Sequence, residues 1–140
     1  MGYKKLLVPL DGSENAFMAC RHAVDLAQSG NMSIVLLHCY GELPATIGGA
    51  ARDEIIALSE AEGHAILASG VQLCRDNGIS CTSVVHCGSP GRSIVHVAQS
   101  EGCDLIVMGS RGLSDFSGMV MGSVSHRVLR HATMPVLIVR

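Results

Sequence analysis

The chain has 140 residues, 48% hydrophobic and 16% charged, with a formal net charge of −2; it is expected to form one domain that buries its own core, which excludes a disordered chain and a strongly basic nucleic-acid surface. Six cysteines, at 20, 39, 74, 81, 87 and 103, show no CxxC or zinc-type spacing, and with no Trp, two Tyr and two Phe there is little aromatic surface for stacking nucleic-acid bases. Apolar runs are too short to cross a membrane and MGYKKLLVPLDGS enters a strand pattern without a cleavable signal, so a cytoplasmic protein with reduced thiols and no nucleic-acid or membrane partner is expected.

The first strand is expected at 4–10, KKLLVPL, a near-continuous apolar run of the kind covered on both faces. Its end delivers Pro9 and Asp11. A helix follows over about 14–28, where Ala16, Ala19, Cys20, Ala23, Val24 and Ala27 recur at intervals of three and four, until Gly30 and Asn31 stop it. Asp11 has two readings: a carboxylate that accepts from ribose hydroxyls or an adenine amino group, or a structural residue at the helix start, where either Asp11 with Glu14 or Ser13 alone would make a cap.

The second strand, SIVLLHC at 33–39, ends in His38 and Cys39, and the glycine- and proline-containing stretch 41–51 reads as a mobile loop. A long alanine-rich helix is expected at 52–77, with Ile55, Ile56, Leu58, Ala61, Ala65, Ile66, Ala68 and Leu73 covering the sheet and a turn at Asp76, Asn77 and Gly78 ending it. The third strand, TSVVH at 82–86, leads through His86 and Cys87 into GSPGRS. Ser89 is placed to cap the next helix, 90–100, with Pro90 at its first position, and Arg92 is a candidate second anion contact. Adjacent strand residues point to opposite faces, so at most one residue of each His-Cys pair can face a common centre, and no metal site is expected.

The fourth strand, LIVMG at 105–109, opens into GSRGLSDFSGMVMGS, in which Gly109, two residues, Gly112, nine residues, Gly122 and Ser123 lead into a helix at 122–131. Glycines let the backbone approach a phosphate, and a helix start offers unpaired N–H donors at the positive end of its dipole. The amides of Gly112, Gly122, Ser123 and Val124, the Ser123 hydroxyl and the Arg111 guanidinium could therefore surround an anion. The plainer alternative is a loop of turns with Ser123 as a helix cap. There is no GxxxxGK[ST], no GxGxxG follows the first strand, and only Asp11 and Asp115 are nearby carboxylates, so slow or absent hydrolysis is expected. In the last helix, Arg130 and His131 complement its C-terminal dipole. The closing strand, PVLIV at 135–139, is wholly apolar, an edge that invites antiparallel pairing with a second copy in a homodimer.

Strands alternating with helices predict a parallel sheet with helices on both faces, whose ligands lie beyond the carboxyl ends of the strands where the order reverses. If the first and fourth strands are neighbours there, Asp11 and the glycine loop share one crevice.

Together, VPLDGS, DLIVMGSRG, the GxxG, nine-residue, GS spacing and MPVLIVR resemble the universal stress protein family over essentially the whole chain. The resemblance implies an α/β, single-domain, doubly wound five-stranded parallel sheet of order 3-2-1-4-5, in the subgroup that binds ATP. It implies Pro9 and Asp11 against the adenosine, the Cys39 backbone against adenine, and Met108 and Gly109 along base and ribose. Arg111, Gly112, Gly122, Ser123 and Val124 would surround the phosphates, with magnesium held chiefly by the nucleotide. Cys39 departs from the aliphatic residue often found there, which a backbone contact tolerates. The function implied is an adenine-nucleotide-binding (ATP, AMP or ADP) stress-response sensor or regulator, homodimeric and without catalytic residues. A nucleotide-independent dimeric interaction module and a slow ATPase are the alternatives.

Overall fold

The computed structural model describes residues 2–113, 115, 118 and 120–140. In chain order the elements are β1 (Lys5–Pro9), α1 (Glu14–Gly30), β2 (Ser33–Tyr40), α2 (Gly49–Asp76), β3 (Cys81–Cys87), α3 (Pro90–Ser100), β4 (Leu105–Gly109), α4 (Ser123–His131) and β5 (Val136–Val139). The strands form one sheet of order β3-β2-β1-β4-β5 with every pairing parallel, as expected. The chain winds outward from β1 through β2 to β3, then crosses back to place β4 on the other side of β1. That reversal leaves a crevice between the carboxyl ends of β1 and β4.

Side-chain alternation explains the two layers. Leu6, Val8, Ile34, Leu36, Leu105 and Val107 point to the core shared with α1 and α2, while Leu7, Val35, Leu37, Ile106 and Met108 point to the one shared with α3 and α4. Both faces are covered, so the inner strands are apolar at nearly every position.

α1 buries the six residues expected of it, begins with the Ser13 hydroxyl accepting the Ala16 N–H at 3.2 Å, and ends where Asn31 turns left-handed at φ 53°. α3 runs over the expected 90–100 with Pro90 in its first turn, but Ser89, although at the cap position, makes no side-chain cap hydrogen bond.

Two expectations about α2 are corrected. The helix starts at Gly49, so the preceding loop ends at Gly48 and residues 49–51 are helical. Its buried face is Gly63, Leu67, Gly70 and Cys74, whereas Ala61, Ala65 and Ala68 are exposed and Leu58 is 58% exposed. Close packing is the reason. A Cβ on Gly63 would lie 2.7 Å from a Val85 methyl carbon, and one on Gly70 would lie 2.9 Å from Leu10 Cδ1. Ile66 and Leu73 do pack against the core, as expected, but the closest approach to the sheet falls at the two glycines, which an apolar pattern does not mark. Among the described residues no helix is long and apolar enough to cross a membrane.

Candidate functional site

A cavity of about 320 Å³ opens at the reversal point, bounded by Pro9, Leu37, Cys39, Ile94 and Met108 on its apolar side and by Asp11, Arg111, Gly112 and Asp115 at its polar end. Its size lies near the lower end of small-molecule sites, roughly 300–1,000 Å³, and the division into apolar wall and polar end is characteristic of them.

Each wall has a local cause. β1 ends at Pro9 and the chain turns outward, with the Leu10 N–H donating to the Leu37 carbonyl at 2.8 Å. Asp11 then ties two segments together: Oδ1 accepts the Ser13 N–H at 2.9 Å and Oδ2 accepts the Leu113 N–H at 3.1 Å. Of its two readings, the helix cap belongs to Ser13, and Asp11 braces the glycine loop against the start of α1.

The loop leaves β4 through Gly109, where a Cβ would collide with the Asn15 side chain. Asn15 uses that proximity. Its Oδ1 accepts the Arg111 N–H at 2.8 Å and its Nδ2 donates to the Val139 carbonyl at 3.4 Å, so α1 holds both the loop and β5. Further on, the Gly112 N–H donates to Asp115 Oδ2 at 2.7 Å and the Asp115 N–H donates back to the Gly112 carbonyl at 3.2 Å. The returning end is fastened at Ser110, whose carbonyl accepts both the Gly122 N–H and the Ser125 hydroxyl, the latter at 2.7 Å. α4 begins there with no side-chain cap. Its first N–H groups have no partner within the helix and stand at the positive end of its dipole.

The universal stress protein family model matches residues 2–140. The universal stress protein YxiE of Bacillus subtilis is 34% identical over 147 residues, spanning 99% of this chain and 99% of that protein. The chain belongs to the universal stress protein family. Within the family, the solved structure of MJ0577, a universal stress protein of Methanocaldococcus jannaschii, superposes with a TM-score of 0.89 at 29% identity, over 99% of this chain and 96% of that one. A universal stress protein solved in complex with cAMP gives a TM-score of 0.76 at 26% identity, over 100% and 98%.

Of the residues to which the family pattern assigns a ligand, Pro9, Asp11, Cys39, Met108, Gly109, Arg111, Gly112 and Val124 line the cavity. Gly122 and Ser123 instead border a separate groove with His126, Arg127, Arg130 and His131, and Ser123 is exposed. Gly122 still bounds the site, since a Cβ there would collide with the Asp115 carboxylate. Four residues of the nine between Gly112 and Gly122 (114, 116, 117 and 119) lie outside the described residues.

Asn15, Ser110 and Ser125 were not singled out by sequence, because each acts on backbone groups brought near only by the fold. Arg92 does not reach this cavity; it lines another groove with His86, His96 and Arg127. His38 and Cys39 face opposite sides of the sheet, as alternation requires. His38 Nδ1 lies 2.8 Å from the Leu10 carbonyl and its ring packs near Gly63, while Cys39 packs into the α3 and α4 core. Burial pushes the Cys39 thiol up to about 11, so it stands in the site as a neutral group. Among the described residues no three His, Cys, Asp or Glu side chains are grouped to hold a metal ion.

Proposed function

We propose that this universal stress protein binds an adenine nucleotide, ATP or its mono- or diphosphate, in the cleft between β1 and β4, and works as a cytoplasmic sensor or regulator that holds the nucleotide with slow or no hydrolysis. The observation that carries the reading is one cavity joining the apolar ends of β1, β2 and β4 to the glycine loop and the uncapped start of α4. A purine is flat and largely apolar on its faces. Met108, Leu37 and Ile94 offer it a matching wall, with the Cys39 backbone at the end of β2 beside its edge. Asp11 lies where a ribose would meet the start of α1, and Arg111, Gly112 and the first turn of α4 lie where phosphates would leave the cavity. The relative solved with cAMP, itself an adenine nucleotide, supports this class of ligand.

Magnesium fits as the nucleotide's companion. Asp11 and Asp115 are the carboxylates lining the cavity, and both already accept backbone N–H groups. A divalent ion would therefore be held mainly by the phosphates, whose charge it would reduce. No lysine lines the described cavity, which favours retention over turnover.

Thermal denaturation with ATP, ADP, AMP and adenosine tests the proposal. A ligand bound only to the folded state at 100 times its Kd adds about 2.7 kcal/mol and raises the melting temperature. No rise with any of them, at millimolar ligand, would leave a nucleotide-independent interaction module as the function. Single-turnover measurement with ATP separates retention from slow hydrolysis.

A further inference from the structure

We propose that Asp115 sets the nucleotide preference of the cleft by holding its own carboxylate where the outer phosphates of a nucleotide would lie. This rests on the nucleotide reading above. Asp115 Oδ2 takes the Gly112 N–H at 2.7 Å, one of the donors an arriving phosphate would use. The same oxygen also stands against the far end of the loop, where a Cβ on Gly122 would collide with it. One anionic oxygen thus spans the two glycines that bracket the cradle.

A local turn accounts for only half of this. The reciprocal bond from the Asp115 N–H to the Gly112 carbonyl closes a turn between those residues, but it does not require the carboxylate to reach Gly122. Gly122 has φ −79° and ψ 165°, a conformation open to any residue, so its glycine serves space rather than backbone freedom. The carboxylate fills that space. A second anion lies beside it: Asp11 Oδ2 is 2.6 Å from the Cβ position of Gly112 and accepts the Leu113 N–H. Arg111 and the start of α4 supply the opposing positive field.

A phosphate can take the Gly112 N–H only by displacing Asp115, and the displaced carboxylate still repels each further phosphate charge. The penalty therefore rises from adenosine through AMP and ADP to ATP and falls when magnesium neutralises the phosphates. Asp115→Asn separates charge from shape, because the amide oxygen can still accept from Gly112.

Isothermal titration of the wild-type protein and Asp115→Asn with adenosine, AMP, ADP and ATP, with and without magnesium, tests this. The variant should bind adenosine as the wild type does and gain affinity stepwise along the series. For magnesium-free ATP the gain should reach about tenfold, shrinking with magnesium and with salt. An equal gain for all four ligands, or weaker ATP binding by a variant with unchanged circular dichroism, would overturn the proposal and leave Asp115 as a turn residue. If neither protein binds any of the four, the nucleotide reading fails, and this one with it.

Discussion

At Gly122 an ordinary backbone conformation is combined with the absence of a side chain, and the reason is steric. A Cβ would meet the Asp115 carboxylate and come within 3.2 Å of the Ser110 carbonyl. Gly122→Val should therefore abolish the nucleotide-induced rise in melting temperature; an undiminished rise in a folded variant would place the site elsewhere. Asp11 acts differently, through bonds rather than space. Asp11→Ala removes the acceptor for the Ser13 and Leu113 N–H groups, with an expected loss of about 1–2 kcal/mol in urea unfolding, typical of hydrogen bonds to a charged group in a partly exposed place. Nucleotide affinity should fall with it, because the loop loses its brace against α1.

Helices α1 and α4 begin in contrasting ways. α1 spends the Ser13 hydroxyl on its own first turn, whereas α4 starts at a glycine with no side-chain cap, so its first N–H groups have no partner within the helix. α2 shows a different use of glycine, as a flat face. Its Gly63 and Gly70 let the helix lie against Val85, Leu10 and Leu36 at distances that leave no room for a side chain. Replacing Gly63 with Val adds helix propensity of a few tenths of a kcal/mol but forces overpacking that costs about 1–3 kcal/mol. Net destabilisation is expected, read as a lower urea midpoint with an unchanged m-value. A stabilised variant would show that the sheet yields at this point.

At the scale of the whole molecule, β5 is an edge strand with Leu137 43% exposed, and Leu129 on α4 is 45% exposed. We expect two copies to pair antiparallel through this edge, since an apolar unpaired edge is a template for a second strand. Light scattering at micromolar concentration should give a dimer for the wild type and a monomer for Leu137→Lys; a monomeric wild type would refute the pairing. The buried thiols give the molecule an alkaline limit. Burial pushes Cys20, Cys39 and Cys103 each from 9.0 up to about 11. Below pH 9 both folded and unfolded thiols are protonated and stability is unaffected. Between about 9 and 11 the unfolded chain ionises first and binds fewer protons, so stability falls as pH rises. Cys74 and Cys81, which share a hydrogen bond, shift in opposite directions, Cys74 up and Cys81 down. Urea unfolding at pH 8, 9 and 10.5 checks the direction, and replacing Cys103 with Ala should lessen the slope.

The strands, the alternation of strands with helices and the buried face of α1 were legible along the chain, because continuous apolar runs, period-3.6 patterns and turn chemistry are written in neighbouring residues; that β1 and β4 are neighbours followed only from the family resemblance. The glycine spacing from Gly109 to Gly122 was legible for the same reason, being a pattern of residue types at set intervals along the chain. The face that α2 buries was not, since Gly63 and Gly70 carry no apolar signal and their purpose appears only against Val85 and Leu10. Nor were the roles of Asn15, Ser110, Ser125 and the Asp115 carboxylate. Each is a contact between segments distant in the chain or folded back on one another, and distance in space is decided when the sheet, the helices and the loop pack together.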